Sequence, residues 1–325
     1  MLRIQKLAIL TLIILMFFSC QNSFTETTDH ESDISHLSAV HFVNNGLGWI
    51  AGYDGTILRS TDNGLNWTEL ESGTDTHFQD IFFYDSNSGW VVGDRGTILH
   101  TEDGGSTWED QSVNILNLLN VVHFVSPDSG MIIGDAGYIC RTFDGGNNWS
   151  LESPLGTTTL IGLYFRDNKE VWIVGSGGNI YSSPDFGDTW NHHAIYVTQW
   201  LYDIKFKNQT EGYIVGTGGT IMHTSDAGET WNLRNNPLMN TNAPIHKLLF
   251  LSDNIGFAVG ASGFVLKTED GGLTWNGTES ETSVFLFDVA FVNFSTGIVV
   301  GGNSFRGVIL RTTNGGDDWS RIDNK

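Results

Sequence analysis

Ser60-Thr61-Asp62-Asn63-Gly64-Leu65-Asn66-Trp67 follows the pattern S/T-x-D-x-G-x-x-W, and this pattern returns six more times in the chain. The acidic position recurs at intervals of 41 residues and then of 44. A fixed period of this length is typical of repeat architectures. The acidic position and the closing tryptophan of the seven copies are Asp62 and Trp67, Asp103 and Trp108, Asp144 and Trp149, Asp185 and Trp190, Asp226 and Trp231, Asp270 and Trp275, and Asn314 and Trp319.

This pattern predicts a tight turn between two strands. The hydroxyl and carboxylate oxygens accept hydrogen bonds from backbone N–H groups, and the glycine adopts a left-handed conformation at little steric cost. We expect the tryptophan to fold back over the turn and bury its ring. All seven copies resemble the Asp box, also called the bacterial neuraminidase repeat. In the last copy Asn314 takes the acidic position, where it still accepts hydrogen bonds but carries no charge.

Three further columns repeat in step with the motif. An invariant Phe, first seen at Phe42, follows an apolar residue two positions earlier, which is typical of a strand with one buried face. An apolar run ending in Gly, such as Trp49 to Gly52, indicates a strand covered on both faces. A third strand leads into the turn and a fourth follows the tryptophan. Four antiparallel strands in about 41 residues match one propeller blade.

The sequence therefore predicts an all-β protein, a single seven-bladed β-propeller of four-stranded antiparallel blades with Asp-box turns, over residues 36–325. We expect the ring to close by packing between blades and not by a swapped strand. We call the side that carries the Asp-box turns face two. Face one then carries the loops between blades and those between second and third strands, including an insertion at 302–306. We expect these loops to vary most and to bind, as loops on rigid scaffolds usually do.

Residues 1–19 have the features of a secretory signal. Arg3 and Lys6 precede an apolar run that is too short to span a bilayer. Ser19-Cys20 follows without a small-x-small cleavage site, which resembles a lipoprotein signal with Cys20 as the lipidated mature N-terminus. Residues 20–35 are polar and acidic, as in a flexible tether. We expect an exported protein of the cell envelope, lipid-anchored to a membrane on its periplasmic or surface side; an ordinary signal peptide and a secreted protein are the alternative.

The formal net charge of −21 argues against nucleic acid as a partner. Cys140 is the single cysteine outside the signal region, so no disulfide framework is expected. The spacing of the histidines and carboxylates offers no metal site, and the EF-hand pattern is missing. We expect a monomer without metal or cofactor.

Asp boxes also occur in sialidases, which raises the question of catalysis. A sialidase requires an arginine triad, a Tyr–Glu nucleophile pair and an early Arg-Ile-Pro segment. No Arg-Ile-Pro occurs here. We therefore predict no catalytic residues and no enzymatic activity. The alternative is a glycan-binding or glycoside-hydrolysing, sialidase-like protein, since a fold does not fix a function.

Two sets of residues are candidates for binding. The residue before each Asp box is basic or histidine in six copies; it forms either a cationic ring or a structural contact with the neighbouring turn. The second set stands six positions before the invariant Phe and is predicted to surround the channel on face one. Its large members and two nearby loop residues form the candidate partner-binding rim, unless they only pack the channel: His36, His77, Trp200, Phe285, Tyr196 and Arg95.

The segments Gly55 to Gly64 and Gly96 to Gly105 resemble the photosystem II stability and assembly factor family. The resemblance covers residues 36–325. It implies a single seven-bladed propeller, exported or lipidated, that binds a newly made membrane subunit without catalysing a reaction. Family members carry an arginine patch for that contact, whereas the nine arginines of this chain are scattered. The resemblance therefore implies a non-catalytic assembly or stability factor that binds an unidentified protein or a glycan.

Overall fold

The computed structural model describes residues 36–43, 46–239, 241, 243–304 and 306–322. The predicted signal segment, the lipidation site Cys20 and the tether lie outside this part of the chain. Within it, no helix has the length and apolar character that crossing a membrane requires.

Four strands recur in each of seven successive units, which we number as blades 1 to 7. The first strands are β1 Leu37–Phe42, β5 Phe78–Phe83, β9 Leu119–Phe124, β13 Leu160–Phe165, β17 Leu201–Phe206, β21 Ile245–Phe250 and β25 Phe285–Phe291. The second strands are β2 Gly48–Gly52, β6 Gly89–Gly93, β10 Gly130–Gly134, β14 Val171–Gly175, β18 Gly212–Gly216, β22 Gly256–Gly260 and β26 Gly297–Asn303. The third strands are β3 Ile57–Ser60, β7 Ile98–Thr101, β11 Ile139–Thr142, β15 Ile180–Ser183, β19 Thr220–Thr224, β23 Val265–Thr268 and β27 Arg306–Thr312. The outer strands are β4 Thr68–Leu70, β8 Glu109–Asp110, β12 Ser150–Glu152, β16 Asn191–His193, β20 Asn232–Leu233, β24 Asn276–Ser280 and β28 Asp318–Arg321.

The strands of each blade pair antiparallel in chain order, which confirms the predicted seven-bladed propeller. Second strands are buried along their length, whereas outer strands such as β8 are exposed. A short parallel bridge between β24 and β28 joins the outer edges of blades 6 and 7. Three-residue 3-10 turns join the second and third strands of blades 2 to 6.

The hydrophobic core lies between the blades and not within a single centre. Seven buried clusters occur, and each combines side chains from two neighbouring blades. One of them joins Val40 and Ile50 of blade 1 to Ile298 and Val300 of blade 7. All four strands of every blade come from one continuous stretch of chain. The ring thus closes by side-chain packing, as expected, and not by a swapped strand.

Six of the seven Asp-box turns are held by the same set of hydrogen bonds. In the first copy, the Ser60 hydroxyl accepts from the Gly64 backbone N–H at 2.9 Å and donates to Asp62 Oδ1 at 2.9 Å. Asp62 Oδ1 also accepts from the Asn66 backbone N–H at 2.9 Å, and Asp62 Oδ2 accepts from the Asn66 side-chain amide at 2.7 Å. These bonds occupy the carboxylate fully within the turn, so the motif has a structural role.

The closing tryptophan of the Asp box and the invariant Phe of the first strand are in contact at this turn. The tryptophan of the box stands edge-on to the invariant Phe of its own blade, as in Phe124 and Trp149, whose ring centroids are 5.9 Å apart at 84°. Six blades share this contact. The Phe ring also covers the glycine that opens the second strand, since a Cβ at Gly89 would lie 2.5 Å from the ring of Phe83. Phe, Gly and Trp therefore form one packing unit in each of these six blades.

The turns between second and third strands are more uniform than we expected of face one. Five blades have the same three-residue 3-10 turn, with a left-handed residue at its centre such as Arg95 or Ala136. Blade 7 departs, because its insertion continues β26 and β27 as a longer hairpin in which Asn303 faces Arg306. Variation on face one is thus concentrated in the loops between blades and in this hairpin.

Candidate binding site at the channel mouth

The residues that line the central channel come from the seven first strands. Each of these strands has a β-bulge near its start, between Phe78 and Asp80 in β5 for example. A bulge turns side chains away from strict alternation. Two successive residues, such as Gln79 and Asp80, therefore both reach the channel. Strict alternation along the strand, as read from the sequence, predicts that only one of two successive residues lines the channel.

The channel opens on face one into a cavity of about 500 Å³. This volume lies within the range of about 300–1,000 Å³ that ligand sites usually have. Aromatic side chains make up a large part of its wall, and Asp80, Lys247 and Asp288 lie deeper, within the first strands. Its aromatic and ionisable lining residues are His36, Tyr53, Trp200, Tyr202, His246, Phe287, Asp80, Asp135, Lys247 and Asp288.

A chain of ring contacts runs along one side of the mouth. Tyr53 stacks between His77 and His36, with centroid distances of 4.3 and 4.1 Å. His36 then contacts Phe287 at 4.3 Å, and Phe287 stacks on His246 at 4.9 Å. Burial and the neighbouring His246 and His77 lower the pKa of His36 to about 4. The His36 ring is therefore uncharged at neutral pH, and this part of the wall is a continuous run of packed rings.

Three carboxylates, of which Asp203 and Asp288 are buried and Asp80 is half-buried, form the next layer of the channel, and each accepts a hydrogen bond from the following blade. Asp80 accepts the backbone N–H of Val122 at 3.0 Å. Asp203 accepts that of Leu248 at 3.0 Å, and Asp288 accepts that of Val40 at 2.9 Å. The last of these bonds crosses the junction between blades 7 and 1.

Lys247 lies among these carboxylates, with its Nζ atom 3.8 Å from Asp288 Oδ1. Burial acts to lower the pKa of Lys247, but the charges of Asp288, Asp203 and Asp80 outweigh it and raise the pKa above its ordinary value. Burial raises the pKa of Asp80 to about 6, against the opposing effects of Lys247 and the Val122 N–H. Lys247 is therefore charged at neutral pH, and Asp80 titrates close to neutrality.

Towards face two the channel is filled by another layer of rings. Phe82 lies between His41 and His123, with centroid distances of 4.9 and 4.8 Å. Burial lowers the pKa of His41 to about 4 and that of His123 to about 3, so both rings are neutral. The Tyr164 hydroxyl donates to the Phe206 carbonyl oxygen at 3.0 Å. Because these rings pack against one another, the accessible cavity belongs to face one.

The structure brings part of the predicted rim together. His36 and Trp200 line the cavity, and His77 joins the ring chain through Tyr53. Phe285 is 46% exposed and contacts the rings of His246 and Phe287 from outside the lining. Tyr196 is fully exposed on the loop between blades 4 and 5, and Arg95 is exposed at the centre of its turn. Neither of these two lines the cavity.

Sequence reasoning missed the deeper residues of the site. Asp80, Asp203, Lys247 and Asp288 occupy one column, three positions before the invariant Phe, where the other blades have Ala39, Val121 and Gly162. The sequence does contain a signal for them, because charged residues stand in a column that is otherwise small or apolar.

The basic residues before the Asp boxes make structural contacts. Arg141 Nη1 lies 2.6 Å from Asp188 in the Asp box of the next blade. Lys267 Nζ lies 2.6 Å from Asp317 in the same relation. The Arg59 guanidinium lies 5.7 Å from the centre of the Trp49 ring. These contacts favour the structural interpretation of this column over a cationic ring.

Within the described residues, no group of three or more His, Cys, Asp or Glu side chains has an arrangement that would hold a metal ion. Cys140 is buried, and burial raises the pKa of its thiol to about 12. It is an apolar core residue.

Comparison with solved structures places this fold beside several propellers. The structure titled "YCF48 bound to D1 peptide" has a TM-score of 0.73 and 22% identity, covering 87% of this chain and 93% of that one. YCF48 from Cyanidioschyzon merolae has a TM-score of 0.71 and 18% identity, covering 86% and 95%. The GH74 xyloglucanase from Xanthomonas campestris has a TM-score of 0.73 at 12% identity, but this chain covers only 55% of it. At these identities the likenesses show the fold alone.

A comparison with curated proteins found no match. The family model described as Photosynthesis system II assembly factor YCF48 matches residues 65–153, 188–281 and 238–325. These segments span more than half of the chain and include all seven Asp boxes, five in full and two in part. The chain therefore belongs to the Photosynthesis system II assembly factor YCF48 family.

Proposed function

We propose that this protein is a non-catalytic assembly or stability factor that binds a segment of a partner protein at the channel mouth on face one. The observation that carries this proposal is the cavity of about 500 Å³ with exposed aromatic side chains beside it. Trp200 and Phe285 are each 46% exposed. Exposed aromatic residues on a rigid scaffold are typical of protein contacts.

Family membership supports a protein partner. One structurally similar family protein has been solved as "YCF48 bound to D1 peptide", so a propeller of this type accommodates a peptide. The rigidity of the site supports the same conclusion. The Asp80, Asp203 and Asp288 carboxylates hold their strands to the next blade by hydrogen bonds. A surface that is preformed in this way loses little conformational entropy on binding.

The test is affinity capture from native membranes, followed by titration of the captured protein against purified variants. We expect the Trp200→Ala/Phe285→Ala variant to bind at least tenfold more weakly, which corresponds to about 1.4 kcal/mol. Phe294→Ala is the matched control, because Phe294 is 64% exposed but lies on face two, in the loop between β25 and β26. Equal affinity of the double variant and the wild type would contradict the proposal, as would a loss of the same size in the control.

Glycoside processing is the alternative, favoured by the aromatic rings and carboxylates that share the cavity. Against it, Asp80 and Asp288 already accept backbone hydrogen bonds from neighbouring blades. A general acid or nucleophile must instead be free to reach a substrate. We expect no turnover on a panel of xyloglucan oligosaccharides and sialosides; turnover that Asp80→Asn or Asp288→Asn abolishes would establish the alternative.

We also propose that the protein is exported and held at the membrane by lipid on Cys20. The Ser19-Cys20 sequence after a short apolar run supports this proposal. Cys20→Ala should abolish incorporation of a fatty-acid label and release the protein from the membrane fraction. A labelled Cys20→Ala variant, or an unlabelled wild type, would contradict it.

A further inference from the structure

We propose that the cavity at the channel mouth takes a cationic side chain, an arginine or a lysine, from the bound segment. This inference rests on the proposed function, because it names the chemistry of the residue that enters the same site. Three features carry it: the charge of the cavity lining, the one aromatic ring of the lining that contacts no other ring among the described residues, and the depth of the buried carboxylate Asp288.

The lining is acidic. Asp80, Asp135 and Asp288 contribute three carboxylates against the single ammonium of Lys247. The two lining histidines, His36 and His246, add no charge at neutral pH, because burial first of all lowers the pKa of each. A cation entering the cavity therefore meets a net opposite charge inside a partly desolvated site, where electrostatic attraction is stronger than in bulk water.

Trp200 offers the surface on which a cation would rest. Five of the six aromatic side chains of the lining contact other rings, through the chain that joins Tyr53, His36, Phe287, His246 and Tyr202. Trp200 has no ring contact among the described residues, while its backbone N–H is fixed by the Thr217 hydroxyl at 3.1 Å. Tryptophan is the best partner for a cation among the aromatic residues, and arginine is the cation most often found there.

The position of the charges distinguishes this site from an ordinary acidic surface. Asp288 is almost completely buried, at the fourth residue of β25, whereas Trp200 lies at the rim just before β17. A long side chain with a terminal charge can extend from the rim to the buried carboxylate. Its methylene stem then packs against the rings while its charged group reaches the carboxylates. A short polar side chain lacks the long apolar stem, and an acidic side chain carries the wrong charge.

The inference is tested with glycine heptapeptides that differ only at the central residue: arginine, its neutral isostere citrulline, lysine, norleucine or glutamate. The wild-type protein is labelled with 5-fluorotryptophan, and the Trp200 signal is assigned by its loss in the Trp200→Ala variant. Peptides are titrated by fluorine NMR. We expect the arginine and lysine peptides to shift the Trp200 signal with dissociation constants at least tenfold below those of their neutral counterparts, and to weaken as salt is added.

Asp80→Asn/Asp135→Asn should weaken the arginine peptide at least fivefold without affecting the citrulline peptide. Asp135→Asn alone is the second variant in case the double variant unfolds, because Asp135 lies in a turn of face one. Equal affinity for arginine and citrulline, or no shift with arginine up to 10 mM, would overturn the inference. If the partner requires Trp200 and Phe285 but is indifferent to both Asp→Asn variants, the protein-binding proposal stands and the cation assignment falls.

Discussion

At the scale of single residues, the seventh Asp box shows what the turn requires. It needs a side-chain donor and a side-chain acceptor four positions apart, and the acceptor need not be the first aspartate. In six copies an aspartate receives a hydrogen bond from Asn or Thr four positions later. In the seventh, the Asn314 amide donates to Asp318 Oδ2 at 3.0 Å, so donor and acceptor have exchanged places. The apparent departure at Asn314 is therefore compensated within the same turn.

This exchange gives a prediction. Asn314→Asp should destabilise the protein by about 1–2 kcal/mol, because two carboxylates would then face each other without a donor between them. The change in the free energy of unfolding is measured by urea denaturation. Asn314→Asp/Asp318→Thr recreates the consensus pair and should restore stability to within about 0.5 kcal/mol of the wild type. A double variant no more stable than the single one would refute the pairing.

At the scale of the blade, the unit of Phe, Gly and Trp explains why blade 4 packs its invariant Phe differently. Blade 4 has Val171 where the other second strands begin with Gly. A Phe ring has no room above a Cβ at that position, as the other blades show. Phe165 accordingly contacts Phe186 at 5.3 Å, whereas its counterparts stand edge-on to the tryptophan of the box. One substitution in a strand has thus redirected the packing of the adjacent turn.

The link between blades 7 and 1 can be tested at Asp288. Asp288→Ala removes the acceptor of the buried Val40 N–H, and an unpaired buried donor costs about 1–3 kcal/mol. Asp288→Asn keeps an oxygen acceptor and should cost clearly less. Urea denaturation at pH 7 compares the two variants. Equal losses would show that the charge, and not the hydrogen bond, stabilises this junction.

The titration of Asp80 predicts a pH dependence of stability. Its folded-state pKa of about 6 lies above the ordinary value of 3.8, so the folded state holds this proton more tightly than the unfolded state. The wild type therefore loses stability from this group as pH rises from about 4 through 6. Asp80→Asn removes that loss. Its free energy of unfolding, relative to the wild type, should rise by about 1–2 kcal/mol between pH 4 and pH 7. A difference that is constant across this range would contradict the prediction.

At the scale of the whole molecule, the core is a ring of seven equivalent interfaces and has no single centre. The cluster between blades 7 and 1 consists of buried side chains, as does the one between blades 2 and 3. If the ring unfolds as one cooperative unit, the interface that closes it should contribute as much as any other.

Ile50 and Ile132 test this equivalence. They hold the same position in β2 and β10 and are both fully buried, but Ile50 belongs to the closing interface. Ile50→Ala and Ile132→Ala should each cost about 2–5 kcal/mol in urea denaturation, and the two values should agree within about 1 kcal/mol. A much smaller loss at Ile50, with a broadened transition, would mean that the ring opens first at this junction.

The fold was largely predictable because its determinants are local and repeat. A turn motif, an alternating strand and an apolar run, recurring seven times, permit few arrangements, since no single blade can bury its own faces. The same repetition showed that Asn314 belongs to an Asp box before any contact was known.

The site depended on the tertiary structure. His36, His77 and Trp200 were predicted from the column six positions before the invariant Phe. That column did not indicate which of its members lie together at the cavity. Bulges brought Asp80 and Asp288 into the channel, and closure of the ring placed them with Lys247 of a third blade. The sequence by itself determined the number and make-up of the blades, because those follow from contacts between near neighbours. Only the closed ring determined the charge and shape of the channel mouth, because they arise where blades distant in sequence converge.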